Sequence, residues 1–126
     1  MNATVEIEIT PPGPPGTRPW WTLYWNGASL RVETAPGLEG DAPSDWGIPY
    51  ADPAYTDAWR EEGGNDYVIE QLLDGFSGAG ARARIVRVHG EREARRETLA
   101  GLTAFAAEHP QCAAELRRFV AETEPN

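Results

Sequence analysis

Asn26-Gly27 lies between two runs of alternating apolar and polar residues, 20–25 and 28–33. An Asn-Gly pair flanked in this way is the strongest short-range hairpin signal, because a type I′ turn needs positive φ at both central residues. A two-residue loop pairs Trp25 with Ala28, Leu23 with Leu30 and Trp21 with Val32. One face then carries Trp21, Leu23, Trp25, Ala28, Leu30 and Val32; the other carries Trp20, Thr22, Tyr24, Ser29, Arg31 and Glu33. A slip of one residue would exchange these faces. The expectation is therefore that Trp21, Leu23 and Trp25 are buried, with Trp20 and Tyr24 more exposed.

The other elements arrange themselves around this hairpin. Residues 4–10 alternate Val5, Ile7 and Ile9 against Glu6 and Glu8, the pattern of a half-buried strand. Residues 11–19 hold five prolines, which cannot join a ladder, so they read as a stiff connection between strands rather than as a ligand for a proline-reading module. Residues 35–51 read as an irregular excursion. Asp52-Pro53 resembles an N-cap followed by proline at the first helical position, opening a short helix that stops at Gly63-Gly64. A second helix, capped by Asn65 or Asp66, buries Val68, Ile69, Leu72 and Leu73 and ends at Gly75. Residues 75–81 read as a flexible connection. Residues 82–89 form a strand with apolar residues on both faces, the mark of a central or well-covered position. Glu91 to His109 is an amphipathic helix, and a last helix carries Ala113, Leu116, Phe119 and Val120. The order β-β-β-α-α-β-α-α predicts a single α+β domain over 1–126: a mainly antiparallel sheet of about four strands with helices on one face.

Charge narrows the function. All 11 basic residues are arginine, a bias that points to a GC-rich bacterial genome. The net charge of −9 is concentrated in residues 33–74, which hold eleven acids against Arg60 alone. Such a field repels nucleic acid and steers a basic partner. No run approaches the roughly 20 apolar residues of a membrane helix, and the N-terminus lacks the basic-then-apolar order of a signal peptide. With one cysteine, Cys112, no intramolecular disulfide forms. These features predict a cytoplasmic chain.

The same acidic segment is rich in aromatic residues. Trp46, Tyr50, Tyr55, Trp59 and Tyr67 lie among Asp45, Asp52, Asp57, Glu61, Glu62 and Asp66. Amphipathic rings beside carboxylates suit a surface for a basic protein or a cationic or aromatic small molecule. The competing reading makes the rings core and the acids a solvated rim, since Tyr55 and Trp59 are four apart, as in a core stripe. Carboxylates spaced like phosphates along a ridge, as a DNA mimic needs, are not evident.

Other constellations are weaker. His109 and Cys112 make only half of a zinc site, or a Cys-His pair of the nucleophilic kind. The acids do not follow the calcium-loop spacing, and the glycines at 75, 78 and 80 follow a helix where a phosphate loop would follow a strand. No metal or cofactor is therefore expected. Arg82, Arg84, Arg87, Arg92, Arg95 and Arg96 form a basic patch expected to cross-pair with the acidic segment. The resulting expectation is a small acidic, non-catalytic binding or accessory protein, of inhibitor, immunity or enzyme-partner type. The alternative is a small-ligand protein or small enzyme with an aromatic-lined pocket between sheet and helices, using His89 for proton transfer.

Overall fold

The computed structural model describes residues 3–35 and 53–123. Seven elements follow in order: β1 (Thr4–Thr10), β2 (Trp21–Trp25), β3 (Leu30–Thr34), α1 (Pro53–Gly78), β4 (Arg82–His89), α2 (Arg92–Glu108) and α3 (Ala114–Thr123). The strands form one antiparallel sheet in the order β3-β2-β1-β4, so the fold is α+β as the pattern predicts. Most of the expected 35–51 excursion lies outside the described residues.

One face of the sheet is core. Val5, Ile7, Ile9, Trp21, Leu23 and Trp25 pack with Ala83 and Ile85 against Val68, Ile69, Leu72, Leu73 and Phe76 of α1, Leu102 of α2, and Leu116 and Phe119 of α3. Trp21, Leu23 and Trp25 are at most 1% exposed, whereas Trp20 and Tyr24 are half-buried, as the alternation requires. The opposite face carries Glu6, Glu8, Tyr24, Arg31 and Glu33. There the Arg31 guanidinium lies 4.1 Å from the Tyr24 ring centroid and Tyr24 donates to Glu33 at 3.3 Å.

The hairpin departs from its expected turn. Trp25 pairs with Leu30, Leu23 with Val32 and Trp21 with Thr34, leaving a four-residue loop, 26–29. Asn26 is not in the positive-φ region; only Gly27 is, at φ 92°. The reason is local. Asn26 Oδ1 accepts from the backbone N–H of Ala28 at 2.9 Å and of Ser29 at 2.8 Å, so its side chain builds the turn that the backbone of a two-residue loop would have built. The register moves by two, an even number, and the faces survive.

β4 is an edge strand with alternate residues exposed, not the central or well-covered one its apolar residues imply. Its two-faced pattern comes from a bulge. Glu6 pairs with Arg87 and Ile7 with Ile85, so Val86 is the extra residue. The extra residue switches the alternation: Ala83, Ile85 and Val88 all turn toward the core, while Arg84, Arg87 and His89 face solvent. The exposed edge is stoppered at Ile85. Glu115 Oε2 accepts from the Ile85 N–H at 2.6 Å, and Arg118 donates to the Ile85 carbonyl at 3.4 Å. Arg118 also grips Glu115 through Nε and Nη2, at 2.7 and 2.6 Å, and pairs with Glu122. Side chains of α3 thus occupy the backbone groups that a further strand would need.

The two expected helices meet at Gly64, and the label α1 spans both. Gly64 has φ 81° and ψ −173°, which no helix contains, and the axis bends there. The second half runs past Gly75 to Gly78 because Phe76, fully buried, anchors it. It closes in a Schellman motif at Gly80 (φ 89°): Ala81 N–H donates to the Phe76 carbonyl and Gly80 N–H to that of Ser77, both at 3.0 Å. The proline-rich segment links β1 to β2, with Thr17 donating to the Pro14 carbonyl. Glu70 of α1 accepts from the Ala113 N–H at 2.9 Å and so caps α3 from across the fold. No helix among the described residues is long and apolar enough to cross a membrane.

Candidate binding site

The first half of α1 is where the acidic and aromatic residues meet. Tyr55 and Trp59, one turn apart, place their rings 6.3 Å from centroid to centroid. Trp59 packs partly against the core, while Tyr55 is 45% exposed. Asp57, Glu61 and Glu62 are exposed beside them. One ring thus leans on the core and the other faces solvent. Arg60 fastens this half-helix to the hairpin by donating to the Gly27 carbonyl at 3.2 Å, with Asp57 3.5 Å from its other terminal nitrogen. Asp45, Trp46, Tyr50 and Asp52 lie outside the described residues.

Beyond the Gly64 break the side chains change direction. Tyr67 folds back over Gly63, where a Cβ would stand 2.5 Å from the Tyr67 Cβ. Burial raises the Tyr67 hydroxyl pKa, and the charge and hydrogen bond of Glu62 add to it. Asp66 turns toward α2. Its carboxylate lies against Gly101, where a Cβ would sit 3.0 Å from Oδ2. Asp66 has no hydrogen bond or ion pair among the described residues, and burial alone raises its pKa above the ordinary aspartate value.

Asp66 stands in the wall of a pocket of about 270 Å³. The pocket is lined by Trp25 and Gly27 of the hairpin, Asn65 and Asp66 of α1, and Glu97, Thr98 and Gly101 of α2. Gly27 belongs both to this wall and to the Arg60 contact, so the pocket adjoins the acidic half of α1. Among the described residues, the Trp25 Nε1–H is a buried donor without an acceptor. Asp66 thus shares the wall of this pocket with Trp25 and Glu97, while Asp57, Glu61 and Glu62 do not line it. One sequence signal pointed here: a glycine inside a helix, at position 101, costs about 1 kcal/mol against alanine and marks a close approach.

His89 is elsewhere. Its Nε2 lies 2.6 Å from Glu6 Oε1 on the solvent face of the sheet, and it takes no part in the pocket. His109 stacks on Phe105 with ring centroids 4.3 Å apart, and the Cys112 thiol is buried. Burial, then the charge of Glu70, raises the thiol pKa, which disfavours the thiolate a nucleophile or metal ligand needs. Among the described residues no three His, Cys, Asp or Glu side chains come together as a metal site would require.

The arginines do not cross-pair with the acidic segment among the described residues. Arg87 approaches Glu6 at 3.6 Å, Arg96 approaches Glu93 at 3.6 Å, and Arg92 and Arg95 make no ion pair. The physical reason is placement. The Val86 bulge turns Arg87 to the solvent face, and Arg92, Arg95 and Arg96 line a recess formed by β4, α2 and α3, to which α1 contributes no residue. Compared with protein-family models, curated proteins and solved structures, the chain matches none.

Proposed function

We propose that this chain is a non-catalytic binding protein for a basic partner. In this reading one arginine or lysine side chain of the partner enters the pocket beside Asp66, and the surrounding surface packs on Tyr55 and Trp59. The observation that carries it is Asp66: a carboxylate that has lost much of its hydration and has no cation partner among the described residues, in a chain of 11 arginines. A guest cation would restore the missing interaction. Glu97 and Trp25 in the same wall suit a guanidinium or ammonium, the first by charge and the second by its ring. A volume of about 270 Å³ falls just below the roughly 300–1,000 Å³ of dedicated small-molecule sites, which favours the end of one side chain. The exposed acids Asp57, Glu61 and Glu62 supply steering rather than affinity.

The test uses a short arginine-rich peptide, with lysine-rich and glutamate-rich peptides as controls, followed by stopped-flow tryptophan fluorescence. Salt is expected to slow association more than it speeds dissociation. Trp59→Ala is expected to cost about 2 kcal/mol if the ring is a hot spot. Asp66→Asn should weaken binding more than Glu61→Gln or Glu62→Gln. Variants that stay folded by circular dichroism and bind like wild type would overturn the assignment.

A further inference from the structure

A second recess lies across the molecule. A groove of about 880 Å³ runs between β4, α2 and α3. Its floor is apolar: Val86 and Val88 on the bulged strand, Leu99 and Ala104 on α2, and Phe119 on α3. Its charged groups are not scattered, and the hydroxyls of its two threonines, Thr103 and Thr123, are spent on the Leu99 and Phe119 carbonyls of their own helices. Arg92, Arg95 and Arg96 occupy the first turns of α2, with Arg87 on the adjoining strand, whereas the later turns present Ala100, Ala104 and Ala107. The cationic end also holds the start of α2, where Glu91 makes no side-chain cap and the helix dipole adds positive potential.

We propose that this groove binds a long-chain fatty acid, its carboxylate among Arg87, Arg92, Arg95 and Arg96 and its chain along the later turns of α2. Segregation of charge from apolar surface is what a head-and-tail ligand needs. Arg92 and Arg95, without ion pairs among the described residues, are free to grip a carboxylate in the two-pronged way that guanidinium favours. The length agrees. From Arg92 to Ala107 the helix rises about 22 Å. One acyl chain spans half of a bilayer's hydrocarbon core, about 15 Å. The remainder accommodates the head. A two-fold copy of this chain on the same face would set the four arginines against themselves or against the alanine end of the helix, and the groove lining offers no carboxylate to meet them. Nucleic acid would meet an apolar floor and a net charge of −9.

The experiment titrates the whole chain with palmitate below its micellar concentration, by calorimetry and amide NMR. Hexadecanol, octanoate and an acidic amphipathic peptide serve as comparison ligands. One palmitate per chain is expected, with shifts confined to residues 86–88, 92–107 and 119–123. Arg92→Gln with Arg95→Gln, both exposed positions, should raise Kd by about tenfold or more. Ala104→Trp, also exposed, should weaken palmitate while leaving the weaker octanoate unchanged. The proposal is overturned by absence of saturable binding, by hexadecanol binding as tightly as palmitate, by indifference to both variants, or by the acidic peptide occupying the groove where palmitate does not.

Discussion

Replacing Gly101 with alanine should stabilise this protein. Gly101 has no positive φ, so an alanine there is an ordinary helical residue. Alanine is favoured over glycine inside a helix by about 1 kcal/mol. Against this stands one contact. The new Cβ would lie 3.0 Å from Asp66 Oδ2 and 3.1 Å from Oδ1, where 3.4 Å is ordinary contact, so the carboxylate must retreat by about 0.4 Å. Asp66 can do so at small cost, because it breaks no hydrogen bond among the described residues and borders an open pocket. The net gain should be about 0.5–1 kcal/mol, or about 2–4 °C in Tm for a domain of this size. Thermal and urea unfolding of Gly101→Ala, Asp66→Ala and the double variant close a mutant cycle. With Asp66 trimmed, Gly101→Ala should give its full helical gain; the difference between backgrounds is the contact itself. A loss of stability in both backgrounds would mean that the glycine accommodates something other than Asp66, and the reasoning would fail. The substitution also narrows the pocket, so a gain in stability should accompany weaker binding of the arginine-rich peptide.

Two further outcomes are expected. Burial raises the Asp66 pKa, so the folded chain holds this proton more tightly than the unfolded chain and loses stability as pH rises past the ordinary value near 3.9. Asp66→Asn should therefore match wild type in urea unfolding at pH 3 and exceed it increasingly above pH 4; an equal gain at both ends would show that the charge is not the cause. Glu115→Ala removes the acceptor of the Ile85 N–H and the main partner of Arg118, and should cost about 2–3 kcal/mol. Because it also opens the β4 edge, sedimentation should show concentration-dependent association beyond that of wild type, and a variant as stable and as dispersed as wild type would refute the plug.

The residues that follow a fixed period were legible. Val5, Ile7 and Ile9 sit where their alternation places them, as do Trp21, Leu23 and Trp25, because a sheet with one solvated face leaves no other parity. The four-residue loop at Asn26 was not legible, since an asparagine side chain and a positive-φ backbone offer two ways to reverse the same chain. Nor was the edge position of β4: one inserted residue, Val86, produces the two-faced pattern that a buried strand shows. The helix through Phe76 was hidden by the glycines around it. Of the candidate site, the acids and rings of α1 were visible as a cluster, but the inward turn of Asp66 depends on Gly64 and Gly101, which lie 37 residues apart in sequence and meet only through packing. The arginine groove was visible as charges but not as a recess.

The strand order has a consequence for how the chain is made. β1 lies inside the sheet, yet its second partner, β4, is more than 70 residues away: Thr10 pairs with Arg82 and Thr4 with His89. During synthesis the first 35 residues can form only a three-stranded meander, with Ile7, Ile9, Trp21 and Leu23 bare on one side and the outer backbone of β1 unpaired. Closing the long connection must precede the contacts that reward it, which slows folding and prolongs that exposure. Glu6 and Glu8, interleaved among the apolar residues of β1, then act as gatekeepers, their repulsion discouraging one nascent chain from pairing with the next.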